Sequence, residues 1–188
     1  MIFVSTIAQE DVDTLRIKSN PVFFAGMNLG FVNGNLTGLN ASFDLNYQSN
    51  NNLLTFKYNA ILDIEEFGFL YFIPTADINS ETEEFSILFG KRYIEDGFSY
   101  HFSGGISYSI TEGQQADLTY SYTGFPLEIG ISWFKSKKER FRILYGLIPV
   151  GKPTAFGRSI GFKLYGNVSK KSYIGIGLNF GLGWHKKY

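Results

Sequence analysis

Residues 173–188 alternate without interruption. One parity carries Ile174, Ile176, Leu178, Phe180, Leu182, Trp184, Lys186 and Tyr188. The other carries Gly175, Gly177, Asn179, Gly181, Gly183 and His185. A strand sends successive side chains to opposite faces, so one face here is apolar and the other nearly bare. A terminal strand of this kind, apolar outside, glycine-rich inside and closing on an aromatic residue, predicts a transmembrane β-barrel.

The same period recurs upstream. In residues 21–32 the apolar parity is Phe23, Ala25, Met27, Leu29 and Phe31, opposite Gly26, Asn28 and Gly30. Asn33-Gly34-Asn35 is a hairpin signal. The return strand sets Leu39, Ala41, Phe43, Leu45 and Tyr47 against Asn40, Ser42, Asp44 and Asn46. A third strand sets Leu54, Phe56, Tyr58, Leu62 and Ile64 against Thr55, Lys57, Asn59, Asp63 and Glu65. Residues 66–83 read as a long connection, apolar at first, broken at Pro74 and then acidic, although residues 67–73 could instead prolong the third strand as a protruding edge. The fourth strand carries Phe85, Ile87 and Phe89 opposite Ser86, Gly90 and Arg92. The fifth sets Tyr100, Phe102, Ile106 and Tyr108 against His101, Ser103, Gly105 and Ser107. A polar loop at 111–123 leads to the sixth, with Phe125, Leu127, Ile129, Ile131 and Trp133 opposite Glu128, Gly130 and Ser132. The seventh pairs Ile160, Phe162 and Leu164 with Ser159, Gly161 and Lys163. Residues 140–156 are left over. An even strand number makes them an insertion or a strand extension in an eight-stranded barrel, with ten strands as the alternative.

Alternation alone also fits a soluble barrel or sandwich, with the bulky residues inside. The composition of the polar parity decides between them. A hydrated exterior needs many charges, whereas this face is mostly Gly, Ser and Asn. Small polar residues suit the crowded interior of eight strands, and the uniform bulky face suits hydrocarbon. Each strand offers about 9–11 residues, enough for a tilted crossing. Tyr47, Tyr58, Tyr108, Trp133, Trp184 and Tyr188 fall toward strand ends, where aromatic girdles belong. The expected fold is therefore all-β: a closed antiparallel up-and-down transmembrane β-barrel over residues 22–188. Residues 1–21 read as a signal-peptide remnant and periplasmic lead-in, with Ser5-Thr-Ile-Ala8 as a small-residue cleavage pattern.

Other features exclude function classes. The 188 residues contain no Cys, which removes disulfides, thiolate metal sites and a Cys nucleophile. Net charge is zero, with 17 basic and 17 acidic residues, so no nucleic acid is expected as partner. The two His residues lack ligand spacing, so neither a metal nor another cofactor is expected.

The runs Gly124-Phe-Pro-Leu-Glu-Ile-Gly-Ile-Ser132 and Gly166-Asn-Val-Ser-Lys-Lys-Ser-Tyr-Ile-Gly-Ile-Gly-Leu178 resemble the C-terminal half of small outer-membrane barrels of unassigned role common in Bacteroidota. In architecture the chain is similar to the OmpA/OmpX type. The resemblance implies a bacterial outer-membrane location and contact with outer-membrane lipids. It brings no catalytic residues with it.

The inward parity collects Asp44, Lys57, Asp63, Glu65, Arg92, His101, Glu128 and Lys163. Buried charges are costly unless paired, so these residues are expected to form a salt-bridged plug; a narrow charged pore is the alternative. His101 and Ser103, with Glu112 downstream, invite comparison with lipid A deacylase barrels. Their Cα atoms would stand about 7 Å apart, marginal for a base reaching its nucleophile. In that family the Ser is followed by Asn and the site faces lipid; here Gly104 follows and both residues point inward. No enzyme is expected. His185 is expected at the membrane interface. Lys135, Lys137, Lys138, Arg140 and Arg142 form a periplasmic basic run that could touch anionic headgroups or peptidoglycan. The expected role is structural or surface-binding, possible protein partners meeting the loops 66–83 and 111–123. A porin-like channel for ions or small solutes is the alternative.

Overall fold

The computed structural model describes residues 20–70, 73–113, 119–144, 147–154 and 156–187. The expectation for residues 1–19 lies outside them. The elements are β1 Val22–Gly34, β2 Gly38–Ser49, β3 Asn52–Leu70, β4 Ile73–Glu95, β5 Phe98–Gly113, β6 Thr119–Phe134, β7 Glu139–Ile143, β8 Ile148–Thr154, β9 Phe156–Ser169 and β10 Tyr173–Trp184. Eight of these strands close a barrel in the order β1-β10-β9-β6-β5-β4-β3-β2. Every neighbouring pair is antiparallel. The seam between β1 and β10 runs from Phe23 opposite Trp184 to Gly34 opposite Tyr173.

The alternation of the sequence becomes the alternation of burial. β2 and β10 alternate buried and exposed along nearly their whole length. The bulky parity points outward: Phe43, Phe56, Phe85, Ile106, Phe125, Ile129 and Ile176 are all exposed on the outer wall. An apolar belt of this extent far exceeds the few hundred Å² a water-facing surface leaves open, and it suits hydrocarbon. The inward parity is small because long side chains already fill the interior. A Cβ on Gly26 would overlap the Asp44 carboxylate, and one on Gly130 would overlap the His101 ring.

The structure corrects the expectation for residues 66–83. Residues 66–70 and 73–83 are strand and not loop, in keeping with the alternative of a prolonged third strand: β3 and β4 continue as one long hairpin, with Phe67 opposite Ala76 and Leu70 opposite Ile73. Two register shifts, between Asp63 and Ile64 and between Ile64 and Glu66, break the parity that the sequence reading followed. Pro74 is tolerated one residue into β4, where the chain has just turned. Likewise β5 runs to Gly113 and β6 begins at Thr119, so much of the expected loop 111–123 is strand. The leftover segment 140–156 is an insertion. It forms a separate two-stranded sheet, β7–β8, and the barrel keeps eight strands.

The interior is less polar than expected. Val32, Leu36, Ile61, Tyr165 and Tyr173 form an apolar cluster inside the barrel at the end from which the β3–β4 hairpin projects. That end is called the hairpin end below; the opposite one, with Val22 and Trp184, is the terminal end.

Candidate functional site: a braced lumen

Five strands each deliver one ionisable side chain to the middle of the lumen. Glu128 of β6 is the hub. Its Oε2 accepts from Lys57 Nζ of β3 at 2.9 Å. Its Oε1 lies 3.0 Å from both Lys163 Nζ of β9 and His101 Nε2 of β5. Lys163 Nζ also donates to Asp44 Oδ2 of β2 at 2.7 Å. The two lysines and two carboxylates have side chains at most 5% exposed. Four unit charges of alternating sign therefore balance in a space from which water is nearly excluded. Each would cost several kcal/mol alone, and each is offset by its partners.

The register makes these bonds informative. Asp44 and Lys57 stand directly opposite on neighbouring strands, the arrangement that ordinarily pairs them. Instead Lys57 reaches to β6 and Asp44 takes Lys163 from β9. In the barrel order both partners lie three strands away, so each ion pair spans the interior. Lys57 Nζ also stands 4.7 Å from the centre of the Tyr165 ring. Eight strands enclose only enough room for packed side chains, and here those side chains tie opposite walls together.

Neutral groups continue the bracing toward the hairpin end. Tyr165 donates its hydroxyl to Asn40 Oδ1 at 2.6 Å, and Asn59 Nδ2 donates to the Tyr173 hydroxyl at 3.0 Å. Asn40 and Asn59 are hydrogen-bonded to each other. Sequence reasoning missed Glu84, which is 2% exposed. Its carboxylate accepts from Asn167 Nδ2 at 2.6 Å, Ser86 Oγ at 3.0 Å and the Tyr173 hydroxyl at 3.1 Å. The signal was available: Glu84 shares the inward parity of Ser86, Gly90 and Arg92.

Arg92 is inside the lumen but outside the ion cluster. Near the terminal end it donates to Gln48 Oε1 at 2.8 Å, Ser99 Oγ at 2.9 Å and the His185 carbonyl at 2.9 Å. Its guanidinium stands 4.8 Å from the Phe24 ring centre and 5.6 Å from that of Phe134. Neutral acceptors and ring faces therefore hold this cation. His185 corrects another expectation. Its ring is buried, 4.9 Å from Phe24 and 5.4 Å from Phe134 between centroids, because the inward parity of β10 continues past Trp184. Asp63 sits at the rim, accepting from Thr37 N at 2.8 Å and Ser80 Oγ at 3.3 Å. Glu65 falls at the second register shift of β3 without a ladder partner, and its side chain lies outside the described residues.

Of the aromatic residues assigned to the interfaces, Tyr47, Tyr108 and Trp133 are exposed on the outer wall. Tyr58 is half-buried, donating to Glu83 Oε1 at 2.7 Å. Trp184 is half-buried too, edge-on to Phe156 at 5.4 Å. Tyr188 lies outside the described residues.

The exposed apolar belt and the braced interior together decide the type of fold. This is a small transmembrane β-barrel. The N-terminal β-barrel domain of Pseudomonas aeruginosa OprF has a similar structure, with a TM-score of 0.53 at 10% identity over 87% of this chain and 98% of that one. Ail, the attachment invasion locus protein of Yersinia pestis, matches with a TM-score of 0.50 at 11% identity over 89% of this chain and 97% of that one. No protein-family model matches the sequence, and comparison with curated proteins finds no match.

Proposed function

We propose that this barrel resides in a bacterial outer membrane as a non-conducting, non-enzymatic element, structural or surface-binding through its long β3–β4 hairpin. The observation that carries this reading is the Glu128 hub, which links β6 to β3, β5 and β9 across the lumen. A pore needs a continuous polar path, whereas these side chains occupy the path and bond to one another. A serine hydrolase is not supported either. His101 is engaged by Glu128, and Ser103 is buried on the same inner wall, away from lipid or bulk substrate.

The hairpin supports an outward-facing role. β3 has 19 residues and β4 has 23, against 12 in β2 and in β10. A two-stranded ribbon that outreaches the rest of the wall offers free strand edges to a partner. With the termini in the periplasm, as in short-turned bacterial barrels, that ribbon points outside the cell. Reconstitution into a planar bilayer tests the closed lumen. The expected trace is flat over a sustained voltage range. Discrete, reproducible current steps from purified barrel would replace this reading with the channel.

A further inference from the structure

The β7–β8 hairpin lies outside the wall, between the terminal ends of β6 and β9. Ile143 pairs with Ile148, and Val150 falls two residues further along β8 on the same face. These three are 42%, 47% and 45% exposed, so the face they share is uncovered. At the tip Leu147 N donates to the Leu144 carbonyl at 3.1 Å, and the two leucines are 78% and 61% exposed. An isolated two-stranded hairpin is marginal in water; it needs a third layer against its apolar face.

What that layer is follows from where the hairpin is rooted and from its charge. The chain leaves the barrel just after Trp133 and Phe134 and returns at Phe156, which packs edge-on against Trp184. The root therefore sits at the edge of the apolar outer belt. Between Lys135 and Phe156 there are six basic residues and one acid, Glu139, in a chain whose net charge is zero. Lys137, Lys138 and Arg140 are exposed. Apolar side chains beside cations, at the edge of a membrane span, are the composition of an interfacial anchor.

We propose that the β7–β8 hairpin lies on the adjoining leaflet, with Leu144 and Leu147 in the acyl boundary and the lysines among anionic phospholipid headgroups. This rests on the reading that the barrel spans a membrane, so the test uses barrel whose insertion is already established by its boiling-dependent gel mobility. The sequence has no Cys, so a single Leu147→Cys variant can carry an environment-sensitive fluorophore cleanly. Asn51→Cys, in the short turn between β2 and β3, serves as a water-exposed reference.

In phosphatidylcholine vesicles containing phosphatidylglycerol, the label at 147 is expected to be quenched by spin-labelled lipid and shielded from iodide; the label at 51 should show the reverse. Adding K137Q and K138Q should shift the docked equilibrium by about 25-fold, from about fivefold for each cation near an anionic surface. Iodide quenching at 147 equal to that at 51, in demonstrably inserted barrel, would overturn the proposal. So would shielding that develops only when periplasmic protein is added, because a protein would then cover the face. Loss of the gel shift itself would instead strike the membrane-barrel reading.

Discussion

Replacing Glu128 with alanine is expected to destabilise the barrel by about 3–5 kcal/mol. The loss follows from what remains. Lys57 and Lys163 stay in the lumen at 5% and 4% side-chain exposure, with Asp44 as the one anion left of the cluster, and His101 loses its acceptor. Glu128→Gln keeps the volume but not the charge and should lie close to alanine. Removing a cation together with its anion, as in Lys57→Met with Glu128→Gln, should cost less than the sum of the single changes. That non-additivity is the signature of direct coupling. Arg92→Met is a contrasting case. It leaves behind only the neutral acceptors Gln48, Ser99 and the His185 carbonyl, for a cost of about 1–3 kcal/mol. Urea unfolding of refolded barrel, followed by circular dichroism, reads all five variants, the single Lys57→Met included. A Glu128→Ala barrel as stable as the parent would show that the cluster does not brace the wall.

The second large effect concerns curvature. Gly161 of β9 lies so close to β6 that an added Cβ would overlap the Ile131 carbonyl oxygen. Backbone cannot rotate aside as a side chain can. Gly161→Val should therefore cost about 3 kcal/mol or more, at the upper end of overpacking penalties. Gly157 shares the strand and its inward parity, but a Cβ there would meet nothing within 4 Å. Gly157→Val is expected to change stability by about 0.5 kcal/mol or less. The pair separates a local steric requirement from any general aversion of β9 to valine, using the same unfolding measurement.

How much of this was legible beforehand depended on parity. Where the two-residue period ran unbroken, as in β2, β5 and β9, the inward and outward faces could be read directly, and Asp44, His101 and Lys163 were placed inside. Where register shifts occur, at Ile64 and Glu66, the period slips, and the rest of the hairpin was taken for a loop. Glu84 stood at the first position of the fourth strand as read from the sequence, on the inward parity of Ser86 and Arg92, but was not counted among the lumen charges. Ile61 was passed over because an apolar residue on a polar parity resembles noise, yet it is fully buried in the cluster at the hairpin end. Which lumen charges meet was not legible at all. Ladder neighbours suggest Asp44 with Lys57, and only three-dimensional closure brings β9 and β6 within reach. Arg92 was grouped with the other charges by its inward parity, although its position along β4 places it a tier away, among Gln48, Ser99 and His185.

The most direct test of a closed, lipid-facing barrel is its mobility on a denaturing gel with and without boiling, after expression and recovery of the membrane fraction. A barrel whose strands pair around the full circuit, and whose lumen is tied across by Glu128, should migrate as a compact species when unheated. It should shift to the mobility of an extended chain of 21.2 kDa only after boiling. A protein recovered in the soluble fraction, with one mobility under both conditions, would contradict the assignment of the aromatic face to lipid.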